Sequence, residues 1–454
     1  MSLLTTVAAR PGPSTTLTRI VSVEGRRYKS VQVKQPGKTT QQAGFLKRNN
    51  EQQNRNSKRL PIYKPMPSAQ LDHPIFKTVP PPLEVPEFTP KNVAKDTAVG
   101  QPFVINAADN DPLKIFGLPR KLWLEFKLLT KPYTVVRQIT RDTIQQLRHA
   151  KKQPSTENRM VLTGRPGCGK SFLLLQAVEN CVRDGWVVVY IPRGIDLVNS
   201  TNDYYYDIRT QTYVQPFYSF QTLQRMLKVN SKALAQLTLK EELVLEKRTL
   251  KAGTKLTQVI EAIMAEKARS IAQAPLVLDA VMRSLEAQSD YPVLLAVDDI
   301  QALYGKTLYR DPQFVPIHSY HLSLPRLIME YASGQRVFPK GAFMGAISRS
   351  QSSWPVSTEL RDAIDFNPMD MRPVSPYDKR NKTMLSYGAG LKNLEVPEQL
   401  TLDEAAGIFE IWKGQGVFGR NKYFYDEAFL GKYTESGGNA RDFVRNGIVG
   451  TLDA

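Results

Sequence analysis

Four short apolar runs stand out along the chain: "RMVLTG" (159–164), "WVVVYIP" (186–192), "YPVLLAVDD" (291–299) and "GAFMGAIS" (341–348). Each is apolar nearly throughout and stops on Gly, Pro, Asp or Ser. Runs this short and continuous predict strands covered on both faces, as in a parallel sheet. Between them the spacing turns helical. "FLLLQAVENCVRDG" (172–185) predicts a helix directly after the first strand. Residues from about 220 to 290 predict a mostly helical insertion, broken by Gly253 and Pro275. Upstream, Val135, Ile139, Thr143 and Leu147 recur at helical spacing and predict an amphipathic helix from about Thr134. Residues 373–454 predict a small helical domain, in which Thr401 and Glu404 have the spacing of a capping box. Strands alternating with helices make the fold class α/β, a parallel sheet with flanking helices, over residues 113–372.

The first 112 residues break this pattern. Residues 1–30 are rich in Arg, Ser and Thr, have Glu24 as their one acid, and lack a continuous apolar core. That composition predicts a mitochondrial transit peptide, removed on import. Residues 31–112 predict a basic and then proline-rich extended arm. Residues 61–90 alone hold nine prolines, interrupted by Tyr63, Ile75, Phe76 and Phe88 as apolar anchors for a partner.

Charge sharpens the picture. The chain of 454 residues carries a net +18, and its first 60 residues hold 12 Lys/Arg against 2 Asp/Glu. The remainder is still basic, which favours a polyanionic partner such as RNA. The two cysteines, Cys168 and Cys181, form no CxxC pair, and the four histidines are scattered, so neither a disulfide framework nor a zinc site is expected. No run of about 18 apolar residues predicts a membrane span.

The chemistry sits after the first strand. Gly164, Arg165, Pro166, Gly167, Cys168, Gly169, Lys170 and Ser171 match G-x-x-x-x-G-K-[ST] without a mismatch, between a predicted strand and a predicted helix. The glycines let backbone N–H groups turn inward around phosphate oxygens; Lys170 would reach the β- and γ-phosphates, and the Ser171 hydroxyl would ligate Mg²⁺. Phe172 begins the helix whose N-terminus faces that charge. The third strand runs into Asp298 and Asp299, which puts Asp298 where it can hold the Mg²⁺ opposite Ser171. Asp299 and Ser348, the latter at the end of the fourth strand, are the candidate catalytic groups, with Arg349 beside them. Arg441, in "SGGNARDFVR", opens a helix after a glycine turn and is a candidate nucleotide contact.

These pieces, in this order, resemble a known family: strand–"GRPGCGKS"–helix, "WVVVYIP", the helical insertion, "VDDIQALYG", "GAFMGAISRS", and the lead-in "GLPRKLWLEF" (117–126). They are similar to the mitochondrial small-subunit ribosomal protein family known as death-associated protein 3, of a fungal type, over roughly residues 115–450. The resemblance implies a P-loop NTPase (AAA+-like) fold with a helical C-terminal lid. It also implies a place in the mitochondrial ribosome of the matrix, rRNA and neighbouring ribosomal proteins as partners, and no homo-oligomer. GTP or GDP with Mg²⁺ is the expected cofactor by family. The residues themselves leave ATP or ADP equally open, since "NKTM" at 381 lacks the aspartate of the [NT]KxD guanine-reading motif.

The reading is therefore a ribosomal constituent that supports mitochondrial translation and binds a purine nucleotide with slow or no hydrolysis. In AAA+ enzymes a glutamate usually follows the Mg²⁺ aspartate, and Asp299 is one methylene shorter. The alternatives are an active AAA+ ATPase that remodels nucleic acid or protein, and a signalling GTPase.

Overall fold

In the computed structural model, which describes residues 83–106, 110–245, 248–265, 270–417 and 425–450, the four apolar runs lie in one parallel sheet. They form β1 (Arg159–Thr163), β2 (Val187–Ile191), β3 (Val293–Asp298) and β4 (Gly341–Ala346). A fifth strand, β5 (Lys392–Glu395), completes the order β5-β1-β4-β3-β2. Every neighbour pair is parallel, and Ala346 stands level with both Leu162 and Asp298. Strand β4 therefore separates the strand that delivers the glycine loop from the strand that delivers the aspartates. This is the order of an AAA+-like P-loop sheet.

Burial follows the pleat. Val187, Val189, Val293, Leu295, Val297 and Phe343 point to one side, into a core shared with helices from the insertion. Val188, Tyr190, Leu294, Ala296, Ala342 and Met344 point to the other. Successive strand residues face opposite sides, so a strand buried on both faces must be apolar at every position. Five helices position the site. Helix α1 (Arg120–Leu128) and α2 (Gln138–Ala150) precede β1, and α3 (Lys170–Arg183) follows the glycine loop. Near the C-terminus lie α4 (Leu402–Gly414) and α5 (Tyr425–Glu435). The segment expected as a helical insertion contains the helices Pro216–Val229, Leu256–Ala265 and Ala274–Glu286, with a short hairpin of Leu243–Val244 and Thr249–Leu250. Among the described residues no helix is long and apolar enough to cross a membrane.

Three boundaries differ from expectation. The helix expected from about Thr134 begins at Gln138, and Tyr133–Val135 instead pairs antiparallel with Pro102–Val104. Strand pairing with a distant segment outweighs the local helical period there. The extended arm stops well short of residue 112. Phe88 and Val93 are fully buried, Phe88 N donates to Val104 O at 2.9 Å, and Pro112–Phe116 is already helical. The partner of the Phe88 anchor is this same chain. Finally, β5 lies within the segment expected to be a helical lid. Its sequence, KNLE, has one apolar residue, so an edge strand of this kind leaves no apolar run to detect. The expected transit peptide and the arm up to residue 82 lie outside the described residues.

Candidate nucleotide-binding site

Strand β1 ends at Thr163, and the chain then turns tightly through Gly164, Gly167 and Gly169, whose φ values are +131°, +89° and +100°. Side chains with a Cβ rarely adopt these angles, which is why the loop needs glycine at all three positions. Helix α3 starts at Lys170, and the Lys170 side chain folds back under the loop. Its Nζ lies 2.9 Å from Gly164 O, 2.8 Å from Arg165 O and 3.6 Å from Cys168 Sγ. Burial pulls the ammonium below the ordinary lysine range; the neighbouring Cys168 and Asp298 work against that, and the Arg349 charge adds to it. Cys168 is buried and unpaired, a packing position under the loop.

The two expected Mg²⁺ residues meet. Ser171, at the start of α3, lies beside the Asp298 carboxyl group at the end of β3 and favours its charged form. Asp298 is 3% exposed. Burial, then the charge of Asp299, pushes its carboxyl up to about 7, while Ser171, the Asp299 N–H and Lys170 pull it back. Asp299 takes a left-handed backbone, φ +56°, and its N–H donates to Asp298 Oδ1 at 2.9 Å. Burial raises its carboxyl too, against hydrogen bonds from Ser348 and Gln301. Asp299 and Ser348, the two candidate catalytic groups, thus lie near each other.

Gln301 was invisible in the sequence. It is 1% exposed, accepts from Ser348 N at 3.0 Å and donates to Ser348 O at 2.9 Å, so one amide side chain sets the end of β4. Arg349, the next residue, is 10% exposed and donates through Nη2 to Asp370 at 2.6 Å. Its Nη1 is buried with no hydrogen-bond partner among the described residues. A buried, half-satisfied guanidinium that acts on Lys170 favours an anion between them.

The remaining candidates line the rim. Arg165 is exposed and pairs with Glu398 at 3.4 Å. The Phe172 ring lies 6.1 Å from that of Phe126 in α1. Arg441 reaches the loop by its backbone: its N–H donates to Gly167 O at 3.0 Å, while its guanidinium pairs with Asp442. Two unexpected residues share that role. Asn439 Nδ2 donates to Pro166 O at 3.1 Å. Arg137, just before α2, donates through Nη1 to Cys168 O at 2.7 Å and through Nε to Glu404 Oε2 at 3.0 Å. Glu404, 3% exposed, also accepts from Gln138 N and closes the expected capping box with Thr401. The one signal for Asn439 was its place after two glycines; Arg137 has no local signal.

Comparison with known proteins identifies a family. The family model described as mitochondrial ribosomal death-associated protein 3 matches residues 134–446. The small ribosomal subunit protein mS29 of Neurospora crassa is 28% identical over 377 residues, covering 80% of this chain and 76% of that one. The protein of the same name from Schizosaccharomyces pombe is 28% identical, covering 76% and 70%. Among solved structures, the Aeropyrum pernix ORC2 protein is 13% identical, covers 67% of this chain and 57% of its own, and has a TM-score of 0.30.

Proposed function

The chain belongs to the mitochondrial ribosomal death-associated protein 3 family, and from that premise we propose a constituent of the mitochondrial small ribosomal subunit that keeps a purine nucleotide and Mg²⁺ as a fixed internal part. Its family and its fungal relatives, named as small ribosomal subunit proteins, support the ribosomal role. The protein works in the mitochondrial ribosome, in the matrix, with rRNA and ribosomal proteins as partners, as a single copy rather than a homo-oligomer.

The observation that carries the nucleotide half is the assembled cradle: three left-handed glycines, a buried lysine beneath them, and Ser171 close to the Asp298 carboxyl group. The backbone from Gly164 to Gly169 and the ammonium of Lys170 would hold the phosphates; Ser171 and Asp298 would hold Mg²⁺. That ion, when bound, neutralises charge shared by the phosphate oxygens. GTP or GDP is the expected ligand by family. Retention rather than turnover is supported by the candidate catalytic groups. Asp299 is held on a left-handed backbone with its N–H on Asp298, the Ser348 backbone is held by Gln301, and one arm of Arg349 is tied to Asp370. A group that must orient water loses about a hundredfold in rate for ~1 Å of misplacement.

The test uses the full-length protein. Nucleotide released on denaturation is expected to be a purine nucleotide, near one per chain, with single-turnover decay well below ~1 s⁻¹. Failure of the purified protein to bind either Mg·GTP or Mg·ATP overturns the nucleotide half. Failure to co-sediment with mitochondrial small subunits overturns the ribosomal half.

A further inference from the structure

In a trans peptide unit, the carbonyl of one residue and the N–H of the next point in opposite directions. All described peptide bonds are trans. A hydrogen bond that holds a loop carbonyl outward therefore aims the following N–H inward. Two units of the glycine loop are held in this way by side chains. Asn439 Nδ2 takes the carbonyl of Pro166, which aims the N–H of Gly167. Arg137 Nη1 takes the carbonyl of Cys168, which aims the N–H of Gly169. Neither amide has a backbone acceptor among the described residues, whereas the Cys168 N–H closes a turn onto Arg165 O at 3.4 Å.

The same two residues press on the back of the loop. A Cβ built on Gly167 would run into Asn439 Oδ1, and one built on Gly169 would come 3.3 Å from Arg137 Nη1. Gly167 is thus required from behind as well as by its φ angle, and Gly169 is closely backed by Arg137. Each clamp is itself held. The Asn439 side chain caps the helix Ala440–Asp442 by accepting from Asp442 N. Arg137 is 11% exposed and bonds Glu404, Pro397 O and Gln399 O.

We propose that Asn439 and Arg137 are positioning residues for phosphate binding: without touching the anion, they turn the peptide units of the glycine loop so that the N–H groups of Gly167 and Gly169 face it. This rests on the nucleotide reading above and adds to it. The C-terminal segment and the start of α2 are part of the phosphate site, acting through the loop backbone.

Calorimetric titration of the full-length protein with Mg·GTP, Mg·ATP and Mg·pyrophosphate tests this. Asn439→Asp keeps the size and the cap acceptor but loses the donor to Pro166 O. It is expected to bind all three ligands about five- to tenfold more weakly, as for loss of one hydrogen bond, with the melting temperature of the unliganded protein nearly unchanged. Asn439→Ala, which adds no charge, is expected to show the same loss. Arg137→Lys has three donors on a single nitrogen for the four acceptors that the guanidinium serves, and is expected to lose at least as much affinity. Wild-type affinity within twofold in both Asn439 variants overturns the proposal while the nucleotide reading stands. So does a loss confined to GTP and ATP with pyrophosphate unchanged, since the residues would then act on sugar or base. If the wild-type protein binds none of the three, the nucleotide reading falls and this proposal with it.

Discussion

The glycine loop and the aspartate edge lie at the same end of one sheet and are built in opposite ways. In the loop, the carbonyls of Gly164, Arg165, Pro166, Gly167 and Cys168 each accept a hydrogen bond from within the chain. Its polar groups are satisfied on one side, and its shape does not depend on what it faces. At the aspartate edge, charge is buried next to like charge. Asp298 and Asp299 are both pushed towards the neutral acid, Asp299 holds a left-handed backbone, and Arg349 keeps an unpartnered arm. A cradle of amides costs little to maintain, whereas adjacent buried carboxyls cost free energy until a cation or a proton offsets them. In the proposed reading the loop would hold the phosphates and the edge would answer to the cation beside them.

The comparison can be broken at its strongest point first. Lys170→Ala removes the cation beneath the loop and its two carbonyl contacts. Nucleotide affinity is expected to fall by a factor of about 100 or more; nucleotide retained at the wild-type level after gel filtration would end the assignment of the loop. Next comes Asp298→Asn. Burial raises the Asp298 pKa in the folded state to about 7, above its unfolded value of about 4. The proton thus stabilises the native protein: the contribution is full below pH ~4 and is lost as pH rises to about 7. The asparagine variant lacks that loss. Without ligand it is expected to be more stable than wild type by ~2–4 kcal/mol at pH 8, with little difference at low pH, and to gain nothing from Mg·GTP. Denaturant melts at pH 4 and pH 8 measure both. If the edge carries no such cost, the two proteins show the same pH slope.

Two smaller effects sharpen the division of labour. Arg349→Ala removes a guanidinium with one free buried arm. It is expected to weaken binding of triphosphate by about tenfold, in the range of one charge-assisted hydrogen bond, and of diphosphate by less. Equal losses for both would move Arg349 away from the terminal phosphate. Asp299→Asn is expected to change affinity by less than about threefold, because its carboxyl lies on the side of Ser348 and Gln301 rather than among the residues proposed to hold phosphate and Mg²⁺. Single-turnover hydrolysis near ~1 s⁻¹ in the wild type, abolished in this variant, would make the edge catalytic rather than sensing.

The residues that mark the candidate chemistry form one contiguous loop or stand at the ends of apolar runs, and the sequence alone determined them. Four apolar runs specified a sheet buried on both faces, because strands covered on both sides admit no polar alternation. Gly164 to Ser171 specified the turn between strand and helix, because three positions there need left-handed φ. Asp298 and Ser348 declared themselves as polar ends of apolar runs. Only the tertiary structure decided the rest. Strand order is set by which strands pair across the chain, from Gly341 beside Val293 to Lys392 beside Met160. The edge strand Lys392–Glu395 carries a single leucine and leaves no periodic trace. Tyr133–Val135 joined a strand against its local helical spacing because Pro102–Val104 lies alongside it. The partners of the loop, Arg137 and Asn439, come from segments about 300 residues apart. Their roles depend on hydrogen bonds to backbone carbonyls, which every residue type possesses, so no pattern of side chains along the chain could have marked where those bonds would form.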